Sequence, residues 1–143
     1  MKYAVLLIAL LLSLAFTSQE TSSNTKNLAN QKSIDEQQKN AFSNKQIAKA
    51  AISALYFRPV NEISVKNMGK YYLVSYVKEG KTYKNKIQLK GHNIMWGNYD
   101  GRWRNTKYDE KLSYKIDQKS LTIITKYSDG SSTKKVFTLS DFN

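Results

Sequence analysis

Residues 72–90 read Tyr72-Leu73-Val74-Ser75-Tyr76-Val77-Lys78-Glu79-Gly80-Lys81-Thr82-Tyr83-Lys84-Asn85-Lys86-Ile87-Gln88-Leu89-Lys90. Tyr72, Val74 and Tyr76 alternate with Leu73, Ser75 and Val77, a period of two that belongs to a strand and not to a helix. Apolar groups fall on both faces, as expected of a central strand. Glu79-Gly80 supplies the hairpin turn. In the returning strand Tyr83, Ile87 and Leu89 point one way, and Lys84, Lys86, Gln88 and Lys90 the other. The returning strand thus has one apolar face and one polar face.

The same grammar runs downstream. Ile63 and Val65 alternate before a turn at Asn67-Met68-Gly69-Lys70, and Gly91 with Asn93 turns the chain into Ile94-Met95-Trp96. Leu112, Tyr114 and Ile116 alternate with Lys111, Ser113 and Lys115, and Asp117-Gln118 turns. Leu121, Ile123 and Thr125 follow with Ile124 opposite, then comes the Asp129-Gly130 turn, and Val136, Phe137 and Leu139 close the pattern. About seven short strands with turns every ten residues or so leave no room for the helical crossovers of a parallel sheet. They predict an antiparallel meander.

Upstream lies one helix. Ser43 and Gln46 form a capping box, with Phe42 placed to staple onto Ile47. Ile47, Ala48, Ala51, Ile52 and Leu55 make an apolar stripe, with Lys45 and Lys49 on the other side. The helix should end near Tyr56-Phe57, because Arg58 precedes Pro59 and is held out of helical geometry. The fold class is therefore α+β: one N-terminal helix packed on a curved antiparallel β-meander, or on a partly closed small barrel.

Residues 41–143 form this single domain. Before it, Lys2 precedes an apolar run from Tyr3 to Phe16, which as a helix of 14 residues would span ~21 Å against a hydrocarbon core of ~30 Å. That is a secretory signal peptide (residues 1–15), with Ser13-Leu14-Ala15 as the small residues at the cleavage site. Residues 16–40 are polar and neutral, a disordered linker with too little apolar surface to order itself. The expected location is outside the cytoplasm, in the periplasm or the extracellular space, with no stable membrane span in the mature chain.

The 143 residues carry 23 Lys and Arg against 11 Asp and Glu, a formal net charge of +12. From residue 41 onward the balance is 19 against 8, a net of +11, so the charge belongs to the folded domain. A basic excess attracts anionic partners, here an acidic protein or an envelope component. The alternative is a compositional bias in which singly placed lysines only keep the chain soluble. Nucleic acid is the less favoured partner, because the tyrosines fall in phase with buried positions while stacking needs exposed ones.

No cysteine is present, which excludes disulfides, thiolate metal sites and a cysteine nucleophile; the single histidine, His92, sits in a turn. There is no phosphate loop, nucleophile elbow or His-Glu-x-x-His sequence. Asp109 and Glu110 are adjacent and, on a strand, would point to opposite faces. Neither a catalytic set, a metal site nor a cofactor is expected.

The unusual residues gather between Ile94 and Arg104, which holds both tryptophans and two of the three arginines. Tyr99, Trp96, Arg102, Trp103 and Arg104 are the candidate binding residues. If residues 101–104 are extended, Arg102 and Arg104 share one face and Trp103 takes the other. Two readings stand side by side. Trp103 plugs the barrel while the guanidiniums offer a bidentate anion grip, or both tryptophans are core and the arginines are solvated or paired with Asp100 and Glu110.

Gly101-Arg102-Trp103-Arg104, Asp109 through Tyr114, Leu121-Thr122-Ile123 and Tyr127 through Ser132 resemble small exported proteins encoded by bacteria and their prophages, to which no activity is assigned. The resemblance covers about the last hundred residues and carries over no site residues. Those relatives often have cysteines in the helix and strand, so any bridge they use is absent here. The function expected is that of a non-enzymatic binding protein at the cell envelope. An inhibitor of a secreted enzyme such as a lysozyme or protease is the alternative, and a small hydrolase using Asp109 or Glu110 the second alternative.

Overall fold

A computed structural model describes residues 42–143. The expected signal peptide and polar linker lie outside the described residues. Helix α1 (Asn44–Tyr56) is followed by a short 3-10 turn (Val60–Glu62) and seven strands: β1 (Ser64–Asn67), β2 (Tyr72–Lys78), β3 (Lys81–Lys90), β4 (Asn93–Asn98), β5 (Lys111–Asp117), β6 (Ser120–Lys126) and β7 (Ser132–Thr138). A second 3-10 turn (Leu139–Phe142) ends the domain. Each strand pairs antiparallel with the next in sequence, and the sheet curls into a half-barrel. The α+β meander read from the periodicity is borne out.

The helix begins as its capping box dictates. The Ser43 backbone N–H donates to Gln46 Oε1 at 2.9 Å and the Gln46 N–H donates back to Ser43 Oγ at 3.3 Å, so donors that the first turn leaves open are satisfied. Phe42 is buried in the same core as Ile47 and meets the Phe142 ring edge-on, tying the helix start to the C-terminal turn. At the other end Phe57 adopts the left-handed conformation, φ 54°, one residue before the proline restriction would have acted. The chain then leaves through Pro59.

Alternation sorts the sheet into two faces. Val74, Ile87, Ile94, Trp96, Leu112, Leu121, Ile123 and Phe137 line the concave face and are buried. Against them the helix sets Ile47 and Ile52 with Ala48, Ala50, Ala51 and Ala54. Removing a side chain the size of isoleucine from water contributes roughly 1.5–3 kcal/mol, and the small alanines let the helix axis approach a curved surface closely. The helix touches β1, β2 and β3 on one side and β6 and β7 on the other. It thereby spans the gap between the two sheet edges, which are not hydrogen-bonded to each other.

A polar tie reinforces that closure. Lys135 sits on the concave face of β7, and its Nζ donates to Ser53 Oγ at 2.9 Å and to the Ser53 carbonyl at 3.2 Å. The carbonyls of the last helical turn carry the negative end of the helix dipole, which suits an ammonium there. Burial holds this lysine's pKa below its ordinary value.

The convex face is basic. Lys66, Lys84, Lys86, Lys90, Lys111, Lys115, Lys126 and Lys134 all point outward by register; Asp117, at the end of β5, is the acidic strand residue among them, and the other described acidic residues lie in turns and loops. No helix among the described residues is long and apolar enough to cross a membrane.

Phe57 is 76% exposed and holds a left-handed backbone that an L-residue with a Cβ resists. Replacement by glycine should therefore raise stability by about 0.5–1 kcal/mol, read as a higher urea midpoint at unchanged slope.

Candidate functional site

Strand β4 pairs with β5 through only two residues, Asn93 opposite Ser113 and Ile94 opposite Leu112. Beyond Ile94 the two strands part, and the loop of residues 99–110 fills the opening. Asn98 accepts the Gly101 N–H at 3.1 Å in a tight turn. The chain then runs back beside β4, and the Arg104 N–H donates to the Trp96 carbonyl at 2.7 Å in an isolated antiparallel bridge.

Gly97 makes this return path open. A Cβ built there would lie 2.5 Å from the Arg102 carbonyl oxygen, closer than any side chain tolerates. The loop backbone therefore lies directly across the outer side of β4.

The bridge decides which way the side chains face. Residues opposite each other in an antiparallel bridge share a face, so Arg104 joins Trp96 on the inner side, its guanidinium carbon 5.2 Å from the Trp96 ring centre. Trp103 takes the outer side, against the Tyr71 ring at 6.4 Å and beneath Lys86 Nζ at 4.9 Å. The expected sidedness of Arg102, Trp103 and Arg104 is present but its direction is reversed. Trp103 does not plug the barrel; Trp96 is the core tryptophan, its indole N–H donating to the Glu110 carbonyl at 3.3 Å.

The arginines' partner is also different from either residue expected. Arg102 makes a two-pronged contact with Asp109, at 2.8 Å from Nη1 to Oδ2 and 2.7 Å from Nη2 to Oδ1. Arg104 Nη1 stands 3.6 Å from the same carboxylate. Asp109 is only 4% exposed and further accepts the Thr106 N–H at 2.9 Å and the Thr106 hydroxyl at 2.6 Å. It lies in a turn before β5, not on a strand, so the expected placing of Asp109 and Glu110 on opposite strand faces does not occur. The Arg102 guanidinium and the Thr106 hydroxyl hold the Asp109 carboxyl well below the usual carboxylate range. Planar two-pronged pairing of this kind is among the stronger ionic contacts because geometry and charge agree.

What the clasped loop presents is Tyr99. Its backbone N–H donates to the Lys84 carbonyl at 3.1 Å, which continues the β3–β4 ladder by one rung. Its ring, 45% exposed, forms one wall of a groove of about 630 Å³ lined also by Tyr56, Tyr76, Tyr83, Asn85 and Asn98, with Thr82, Lys78, Lys84 and Asp100 at its margin. Tyr76, Tyr83, Asn85 and Asn98 bring the groove to the concave face beside Tyr56, the last residue of the helix, while Thr82 and Lys84 belong by register to the other face. Tyr83 stacks on Tyr76 with centres 5.3 Å apart and planes 11° from parallel, and Tyr56 leans on both Tyr76 and Trp96.

Asn85 forms the floor. It is 3% exposed, its Oδ1 accepts the Tyr56 hydroxyl at 3.4 Å, and its Nδ2 has no partner among the described residues. Burial raises the phenol pKa of Tyr56, and so does the neighbouring Tyr76; Tyr76 is raised by burial and by Tyr83. Both phenols stay neutral and keep their protons near neutral pH. The groove thus offers amide and phenol donors beside flat aromatic surface.

Of the residues expected at a site, Tyr99 lines this groove, Trp96 supports it from below, and Arg102, Arg104 and Trp103 hold the loop. Tyr56, Tyr76, Tyr83 and Asn85 were not anticipated as site residues. Alternation assigns Tyr76 and Tyr83 to the inner face, where the structure has them; what it does not give is that the helix ends at Tyr56, beside them. Among the described residues no three His, Asp or Glu side chains converge on a point that could hold a metal.

Adding one methyl group at Gly97 should cost about 1–3 kcal/mol by overpacking, and the backbone amide resonances of residues 102–104 should shift in Gly97→Ala. Asp109 has a folded pKa below its unfolded value of ~3.9, so its contribution is present above that value and is lost as pH falls through the acid range. Asp109→Asn should lower the urea midpoint at pH 7 and flatten its decline between about pH 5 and pH 3.

No protein-family model, curated protein or solved structure matches the chain.

Proposed function

We propose that this protein is a non-enzymatic binding module of the cell envelope that captures its partner in the tyrosine groove. One observation carries the reading. Asn85, at the floor of a groove walled by tyrosines, makes no hydrogen bond through its Nδ2 to any described residue. An amide donor that no described protein group uses is open to an acceptor on a ligand. A ligand acceptor seated over Asn85 would complete it.

The surroundings support capture. Aromatic side chains give large contact area for little lost conformational entropy, and the Asp109 clasp fixes Tyr99 before any ligand arrives, which lowers the ordering cost of binding. The basic convex face gives the domain a field that draws it towards anionic envelope material. The secretory leader read from residues 1–15 would deliver it there.

Tyr83 and Tyr99 are 42% and 45% exposed, so truncating them should leave folding nearly intact. Immobilised wild-type chain should retain an envelope component that the Tyr83→Ala/Tyr99→Ala double variant releases, with melting temperatures within about 2 °C, roughly the effect of a surface substitution. Retention unchanged in the double variant would remove the groove from the function. A Val136→Lys variant on the convex face serves as the control.

A further inference from the structure

The groove's geometry points to a saccharide: we infer that it recognises the apolar face of a pyranose ring in a glycan chain. The inference rests on the reading of the groove as the binding site and adds the chemical class of what it binds.

Tyr83 lies parallel on Tyr76, at 5.3 Å and 11°, so one of its faces is backed by another ring and the other is left to the groove. A backed ring cannot tilt away. It is a flat, rigid platform, and the electron-rich face of an aromatic ring attracts the slightly positive C–H groups that a pyranose presents on its flat side. Across the groove Tyr99 offers a second exposed ring on a loop clasped by Arg102 and Asp109.

Sugar hydroxyls both donate and accept, so they need partners that do the same at close range. A carboxamide does, through its oxygen and its N–H₂ group. Asn85 Nδ2 makes no hydrogen bond to a described residue, and Asn98 stands beside it on β4, directly opposite Asn85 in the ladder. The phenol of Tyr56 donates to Asn85 Oδ1 at 3.4 Å, so the oxygen of the amide is engaged and its N–H₂ is the side left for a ligand. A ring resting on Tyr83 can then set an equatorial hydroxyl or an acetamido oxygen over Asn85 Nδ2.

An extended peptide fits less well. Strand addition needs an unpaired sheet edge, and here β2, β3 and β4 are paired with each other along the whole groove, through Lys78 opposite Lys81 and Asn85 opposite Asn98. The free edges belong to β1 and β7, which do not line the groove. A proline-rich peptide, which needs no edge, is the remaining peptide mode and enters the test as a competitor.

The test uses the full chain on an array of bacterial-surface saccharides, with binding to the best oligosaccharide repeated in solution by titration calorimetry and a proline-rich decapeptide run in parallel. Expected are binding to at least one glycan, a loss of roughly tenfold or more in affinity for Tyr83→Ala, and near-wild-type affinity for Tyr83→Phe, since the ring and not its hydroxyl supplies the platform. The side-chain N–H₂ resonances of Asn85 should shift on titration. Decapeptide binding that depends on Tyr83, with no glycan bound, would overturn the saccharide class while leaving the groove as a binding site. Absence of both, together with envelope retention insensitive to Tyr83→Ala, would overturn the saccharide and the groove alike. Equal losses in Tyr83→Ala and Tyr83→Phe, at unchanged melting temperature, would also overturn the stacking geometry.

Discussion

The structure depends on one fit, that of an alanine-rich helix into the hollow of a curled sheet. A sheet whose strands pair only in sequence has two edges, and curvature brings those edges near each other without joining them. Helix α1 does the joining. Its alanines at positions 48, 50, 51 and 54 permit close approach, Ile47 and Ile52 fill what remains, and the Lys135 contact with Ser53 fixes β7 to the helix end. Bulkier residues at the alanine positions would lift the helix out and open the seam between β1 and β7.

The same fit creates the groove. Thirteen residues of helix reach roughly 20 Å, and the concave face continues beyond that, where Tyr83 and Asn98 stay exposed beside the buried Tyr76 and Asn85. Tyrosine suits such a border because it has an apolar body and a polar tip. The loop after β4 bounds the groove on its far side, and the Asp109 clasp keeps the loop from collapsing into it. The arginines that look on the sequence like a grip for an external anion are chiefly engaged with an internal one, although Arg102 keeps more than half of its side chain in solvent.

Local regularity was legible in the sequence, and non-local placement was not. The capping box at Ser43, the alternation through β2 and β3, and the turns at Gly80, Gly91 and Gly130 each depend on neighbours within a few residues, and each appears in the structure. The partner of Arg102 depends on the path of a loop. That path is set by the absence of a side chain at Gly97, a glycine with an ordinary negative φ that no turn rule singles out. Trp103 was placed on the wrong side for the same reason. The groove tyrosines posed a different difficulty, since alternation tells which face a residue takes and says nothing about how far the opposing layer extends.

The hydrogen bonds between Lys135 and Ser53 join residues 82 positions apart. The seven strands can zip hairpin by hairpin, each gain following a small loop closure. The helix comes first in the chain, and part of its seat is supplied by the last two strands, because Leu121 and Phe137 form one wall of the hollow it fills. The core is thus closed by contacts between the two ends of the domain, and its completion carries the largest loop-closure cost in the fold.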